Sequence, residues 1–364
     1  MGSTTIEWTD ATWNPVRGCT RVSEGCRNCY AERMAARFSD PGQYSHGFAK
    51  RTPAGGRWTG KVELIPGKLR EPLSWRKPRR VFVNSMSDLF HEQMSFDDIA
   101  AVFGVMAACP QHVFQVLTKR PELAHEFYNV FLGNEGAVPA AYCAFKALER
   151  GGLSENSYMD REVTESWPLP NVWLGTSVED QYTAERRIPY LLGCPAPVRF
   201  LSCEPLLGPV DLTKLEFMKP EGLSPGAWLN CLTGHMIGPD DILPDKIDWV
   251  IAGGESGPGA RPMHPDWVRS LRDQCEREHV PFFFKQWGQF CPYDQLPEVT
   301  RQELDSSGSQ LYADPESQRP LGVGKKRAGN LLDGNEWNQF PVAERNFRAD
   351  IVRNSRSYAT SKMR

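Results

Sequence analysis

Six short runs of branched and aromatic residues recur along the chain: RVFVNS (80–85), HVFQVLT (112–118), NVWLGTS (171–177), PVRFLSC (197–203), DWVIAGG (248–254) and FFFKQW (282–287). Each has the length and the Val, Ile, Phe and Trp content of a buried strand. They are apolar throughout instead of alternating with polar residues, so both of their faces must be covered. Helical patterns supply the cover: SFDDIAAVFGVMAAC after the first run, DQYTAERRIPYLLGC after the third and HPDWVRSLRDQCEREH after the fifth. Ser95 and His264-Pro265 mark the starts of the first and last of these helices. With ATWNPV (11–16) as a short first strand, about seven βα units result. The expected fold class is α/β, a full or partial TIM-type (β/α) barrel with parallel strands; a doubly wound open sheet is the alternative. The barrel is expected over residues 1–291, with insertions near 134–170 and 212–246. Residues 292–364 read as an irregular C-terminal extension that covers one face or forms a flap, with SRSYATSKMR frayed at its end.

Ligands of such folds bind at the carboxyl ends of the strands, so the residues just after each run are the ones to weigh. Asn84, Ser85 and Asp88 close the first run, and Lys119 and Arg120 the second. Ser177 and Glu179 end the third, Ser202 and Glu204 the fourth, Gly253, Gly254 and Glu255 the fifth, and Lys285, Gln286 and Trp287 the sixth. One such Ser or Asp is ordinarily a cap or a turn. Six in series outline a pocket for a polar molecule bearing an amine, a carboxylate and hydroxyls. The two adjacent glycines permit close backbone approach, while GGESGPGARP has neither phosphate-loop spacing. Lys119, Arg120, Arg261 and Lys285 place cations at this mouth, with Trp287 beside the last, which suits the phosphate and base of a nucleic acid or nucleotide. WRKPRR (75–80) is a denser basic patch whose ordinary role is a solvated lead-in to a strand. His91 is a candidate general acid or base, although a hydrogen-bonded histidine is the commoner outcome. No G-x-S-x-G elbow is present, which disfavours a serine hydrolase.

The formal net charge of −3 gives no global case for a polyanionic partner, so such binding needs a local basic patch. No apolar run reaches the ~20 residues that cross a bilayer, and no secretory pattern is visible. The chain is expected in the cytoplasm, away from membranes, where its ten cysteines stay reduced. Only three of them are grouped: Cys19, Cys26 and Cys29, spaced C-x6-C-x2-C within WNPVRGCTRVSEGCRNCYAERMAARF (13–38). A structural zinc site needs four ligands, and His46 is the one nearby candidate for the fourth. Three thiolates suit a [4Fe–4S] cluster better, because they leave one iron open at the barrel mouth.

The opening IEWTDATWNPVRGCTRVSEGCRNCYAERMA resembles the three-Cys-motif family of phage and prophage proteins. So do VFVNSMSDLFHE, QVLTKRP, VWLGTSVED, RFLSCEPLLGP, WVIAGGESGPGARP, FFFKQWG and AGNLLDGNEWNQFP, in the same order over nearly the whole chain. That family in turn is similar to radical S-adenosylmethionine enzymes. Their usual motif is C-x3-C-x2-C with an aromatic residue before the last cysteine; here six residues separate the first pair and Asn28 precedes Cys29. The resemblance implies that Cys19, Cys26 and Cys29 ligate three irons and that S-adenosylmethionine chelates the fourth. One electron, supplied by a separate reductase, would cleave its S–C5′ bond to start radical chemistry. Asn84, Ser85 and Asp88 would then lie near the methionyl amine, and Ser177, Glu179 and Glu204 near the ribose and carboxylate. Gly253 and Gly254 would lie near the adenine. Two other functions stay open: a zinc- or cluster-stabilised nucleic-acid binder, and an iron–sulfur repair or redox enzyme independent of S-adenosylmethionine.

Overall fold

The computed structural model describes residues 4–131, 139–155, 166–216, 228–237, 245–306 and 320–341. Seven strands form one sheet: β1 (Ala11–Trp13), β2 (Arg80–Val83), β3 (Val113–Thr118), β4 (Val172–Ser177), β5 (Arg199–Cys203), β6 (Trp249–Gly253) and β7 (Phe282–Gln286). Every adjacent pair is parallel, and the strands lie side by side in chain order. A doubly wound sheet reverses its order at a switch point. This one never reverses and curls into a half-barrel, the partial TIM-type form.

The crossovers run through α1 (Tyr30–Arg37), α2 (Phe96–Ala107), α3 (Pro121–Glu126) with α4 (Pro139–Glu149), α5 (Gln181–Leu192) and α6 (Pro265–Arg277). The two expected helix starts are present. Asp98 N–H donates to the Ser95 side chain at α2, and Asp266 N–H donates to His264 at α6, where Pro265 takes the first helical position. α4 falls in the expected insertion near 134–170, yet it packs directly on α2. A Cβ on Gly104 would lie 2.1 Å from the Cys143 carbonyl oxygen, so only glycine permits that approach. Between β5 and β6 the described residues form a small antiparallel sheet of Leu215–Glu216, Trp228–Asn230 and His235–Ile237.

Alternate strand residues serve two cores. Val81, Val83, Phe114, Val116, Leu174, Leu201, Val250, Phe282 and Phe284 belong to the main core that also buries the helices. Trp8, Trp173, Phe200, Trp249, Ile251 and Phe283, with Phe82 against them, form a second cluster on the other face. Its rings meet at 4.8 Å (Trp8–Phe82) and 6.0 Å (Trp173–Trp249). This aromatic plug fills the half-barrel below the polar strand ends.

The described residues 337–340 of the C-terminal extension have a definite place against the sheet. Phe284 N–H donates to the Trp337 carbonyl (2.8 Å) and Gln339 N–H to the Phe282 carbonyl (3.2 Å), so Trp337–Gln339 lines the outer edge of β7. An uncovered edge is a template for unwanted pairing. Phe340 then enters the aromatic plug, 5.1 Å from Trp249 and 5.5 Å from Phe283, with the Arg80 guanidinium 4.5 Å above its ring. The expected frayed end, 355–364, lies outside the described residues. Phe340→Ala is expected to cost about 2 kcal/mol in urea unfolding, a partly buried aromatic truncation. Phe145→Ala, at a ring 51% exposed, should stay within about 0.5 kcal/mol. Equal effects would mean that the strap does not seal the plug. No helix among the described residues is long and apolar enough to cross a membrane.

Candidate functional site

The segment between β1 and α1 carries the three grouped cysteines and lies across the carboxyl ends of the strands. Gly18 precedes it with φ +91, and a Cβ there would fall 1.9 Å from the Lys61 carbonyl oxygen, so the entry needs glycine. Three strand ends then fasten the loop. After β2, Asp88 accepts from Thr118 Oγ1 (2.7 Å), Lys119 N–H (3.0 Å) and Arg120 Nη1 (3.2 Å). Arg120 donates onward to Thr20 Oγ1 (2.7 Å) and, through Nε, to Glu92 (2.7 Å). After β4, Glu179 accepts from Ser23 Oγ (3.0 Å) and Arg187 Nη1 (2.8 Å) and pairs with Lys119. After β6, Glu255 accepts from Asn28 Nδ2 (3.0 Å) and from Arg261 Nε (3.0 Å) and Nη2 (2.8 Å). Arg261 also donates to the Glu24 carbonyl (2.9 Å).

The anchors Thr20, Ser23, Glu24 and Asn28 therefore interleave with Cys19, Cys26 and Cys29. The six residues between the first two cysteines hold three of these anchors and the start of the short 3-10 turn Glu24–Cys26. Gly25 belongs to the same device, because a Cβ there would lie 2.4 Å from Glu179 Oε1.

Cys19, Cys26 and Cys29 are half-buried and unbridged, whereas the other seven cysteines are buried. The Cys19 thiol is pushed up to about 12, first by burial and then by Asp88, with Arg120 opposing and Cys29 and Cys26 adding to it. Burial also raises Cys29, which caps the N-terminus of α1, and the N–H groups of Glu32 and Ala31 oppose that rise. The three thiols thus share one neighbourhood. Among the described residues no three His, Cys, Asp or Glu side chains converge on a single ion position. His46 is exposed and its Nδ1 meets the Ser39 carbonyl (3.1 Å), so it does not join them. Cys19, Cys26 and Cys29 are the residues that could hold an iron–sulfur cluster, whose ligands are thiolates.

Most of the strand-end residues expected to meet a ligand have protein partners instead. Asp88 and Glu179 hold the loop. Lys119, Arg120 and Arg261 are not free cations at the mouth, because each pairs with a carboxylate. Burial alone would raise the Glu179 carboxyl, but the Lys119 ammonium and Arg187 guanidinium outweigh it and hold it below the ordinary range. Trp287 is no stacking platform: it is 1% exposed, and its indole N–H donates to the Leu331 carbonyl (2.7 Å). The space expected beside Gly254 for an adenine is taken by the Trp287 carbonyl oxygen, 1.8 Å from where a Cβ would stand. Ser85 Oγ donates to Asn14 Oδ1 (3.2 Å), and the Ser177 carbonyl accepts from Arg187 (2.9 Å).

A smaller polar set remains above the aromatic plug. Lys285 pairs with Glu204 at 2.9 Å, Ser202 Oγ donates to Glu204 at 3.3 Å, and Gly253 lies against Glu204. Asn84 is buried at φ +59, and its Oδ1 accepts from Val16 N–H (3.3 Å). Its Nδ2 is buried without a hydrogen-bond partner among the described residues. Thr20, Ser23, Asn28, Glu92 and Arg187 complete the site and were not among the expected site residues, and Glu255, a strand-end acid weighed without a role, joins them. The acid at the end of β6 was visible as a strand-end residue; the other five carried no such signal.

His91 is part of the fastening. Gln93 N–H donates to its Nδ1 (3.1 Å), which leaves the proton on Nε2, facing Thr20 Oγ1 at 2.9 Å. Burial and the Arg120 charge lower its pKa from the ordinary 6.5. The unfolded chain therefore binds the proton more readily, and stability should fall as pH drops below about 6.5 toward the lowered folded value. His91→Gln is expected to flatten that limb in urea titrations from pH ~7 to ~5. An unchanged slope would mean that His91 is not held neutral.

The chain belongs to the DUF5131 family, a protein family of unknown function, whose match spans residues 3–341. No curated protein and no solved structure matches the chain.

Proposed function

We propose that this member of the family is a radical S-adenosylmethionine enzyme, with Cys19, Cys26 and Cys29 holding a [4Fe–4S] cluster whose fourth iron receives S-adenosylmethionine. The observation that carries this is the placement of three unbridged thiols on a loop fastened over the carboxyl mouth of a parallel half-barrel. When bound, the cluster supplies the single electron that cleaves the sulfonium.

The chain's own residues do the rest. Asp88, Glu179 and Glu255, with their cationic partners, keep the loop in one place over the mouth. The unpartnered Asn84 Nδ2 is a donor, so it suits the carboxylate of the methionyl group and not its amine. Glu204, with Lys285 and Ser202 beside it, offers an acceptor for ribose hydroxyls. The plug of Trp8, Trp173, Phe200, Trp249 and Phe283 closes the half-barrel from below and keeps water from that side. The chain works with an external electron donor, in the cytoplasm, where reducing conditions suit ten cysteines with no disulfide among them. His46, the fourth donor expected of a structural zinc clip, is turned to Ser39 instead.

The test is anaerobic incubation of the reconstituted protein with S-adenosylmethionine and dithionite. 5′-Deoxyadenosine is expected from the intact chain and not from Cys29→Ala. Iron-loaded protein that releases none would point to an iron–sulfur enzyme independent of S-adenosylmethionine.

A further inference from the structure

Residues 41–80 carry ten Lys and Arg against two Glu, a net of +8. The whole chain is at −3, so the other residues are at −11. Most of the basic segment is set beside β1, the edge strand opposite β7. It contains the hairpin Ala49–Thr52 and Gly55–Trp58, the strand Glu63–Leu64 paired with Val16–Arg17, and the helical turns Pro66–Leu69 and Glu71–Ser74. A cavity of 590 Å³ opens there, lined by Asn14, Arg17, Tyr44, Trp58, Lys68 and Trp75 among others. The Arg17 guanidinium lies 5.6 Å from the rings of both Tyr44 and Phe48, and that of Arg79 lies 5.8 Å from Trp75. Arg51, Arg57 and Arg80 pair with Asp40, Glu32 and Asp10 outside the segment, and Lys61 and Lys68 with Glu63 and Glu71 within it; the exposed cations outside these pairs are Lys50, Arg70, Arg76 and Lys77.

We infer that this face binds single-stranded nucleic acid, with bases against Tyr44, Trp58 and Trp75 and phosphates on the surrounding cations. The identification of that strand as the substrate rests on the proposed enzyme function; the binding itself does not. Interleaved cations and aromatic faces are what a single strand uses, because unpaired bases can stack while the backbone is neutralised. The cavity is within the roughly 300–1,000 Å³ that holds one ligand-sized unit, and paired bases of a duplex cannot enter it. An anionic membrane would need protruding apolar anchors. Of the exposed large hydrophobic side chains, Tyr44 alone belongs to this segment. The cavity also adjoins the cysteine loop. Arg17 runs directly into Gly18 and Cys19, Gly18 pairs with Ser87, and Met86 shares the cavity wall.

The test is fluorescence anisotropy with a labelled single-stranded DNA 20-mer, the matching RNA, the duplex and phosphatidylserine vesicles, each over a salt series. The intact chain is expected to prefer a single strand. Arg70→Glu, Arg76→Glu and Lys77→Glu together should weaken it at least about tenfold and reduce the log–log salt slope by about 2, three phosphate contacts at ~0.7 each. Tyr44→Ala should weaken it about fivefold or more through lost stacking, with the slope unchanged. Tyr44 is 45% exposed, so its variant should melt like the parent. Preference for duplex or vesicles, no binding, or binding indifferent to both variants would overturn the inference. Iron content and 5′-deoxyadenosine release are read on the same preparations. Active protein that ignores the strand sinks the surface alone, and strand binding by a protein without iron sinks the enzyme alone.

Discussion

Replacing any one of Cys19, Cys26 or Cys29 by Ala is expected to strip iron from the reconstituted protein and abolish cleavage of S-adenosylmethionine. Cys109→Ala and Cys275→Ala should keep both. All five are thiols, and the contrast lies in their surroundings. Cys109 and Cys275 are fully buried in the main core, where a free thiol acts as a small hydrophobe. The other three are half-buried on a loop whose intervening residues are bonded to strand ends. The check is iron and sulfide content per chain for all five variants. Equal iron in the three loop variants and the intact chain would remove the loop from any metal site.

Glu179→Ala should produce the largest loss of stability. Its side chain is 1% exposed and receives Lys119, Arg187 and Ser23. Removing the carboxylate leaves two cations facing each other without their partner, a change that costs about 3–5 kcal/mol when a buried pair is broken from one side. The carboxyl is held below its ordinary range, so its contribution is present above the unfolded value near 4.5 and is lost as pH falls through the lowered folded value. Urea unfolding at neutral pH and at pH ~4 separates these effects: the difference between parent and variant should shrink in acid. A variant as stable as the parent at neutral pH would show that the Glu179 anchor is not what holds the loop.

The strands and their parallel arrangement were legible because the runs are apolar on both faces, a pattern that only helix-covered parallel strands require. The helix starts at Ser95 and His264 were legible because capping is local. The partners of the strand-end charges were not. Ser23 and Glu179 are 156 residues apart, and Asn28 and Glu255 are 227 apart. Lys119, Arg120 and Arg261 therefore read as open cations when each has a carboxylate waiting in the fold. Trp287 read as exposed because the segment that covers it, around Gly329–Leu331, lies in a polar stretch without a periodic pattern. The edge strap at Trp337–Phe340 was hidden for the same reason. The basic segment was visible only in part, as WRKPRR. Its extent emerges when Trp58 of the hairpin and Lys68 and Trp75 of the region of the helical turns are seen to line one cavity.

The most direct measurement is the iron, zinc and sulfide content of the intact chain, purified without oxygen and reconstituted. Cys19, Cys26 and Cys29 as cluster ligands predict about four irons and four sulfides per chain. One tightly held zinc with no iron would contradict them, and the loop would then be a structural clip over a pocket of other chemistry.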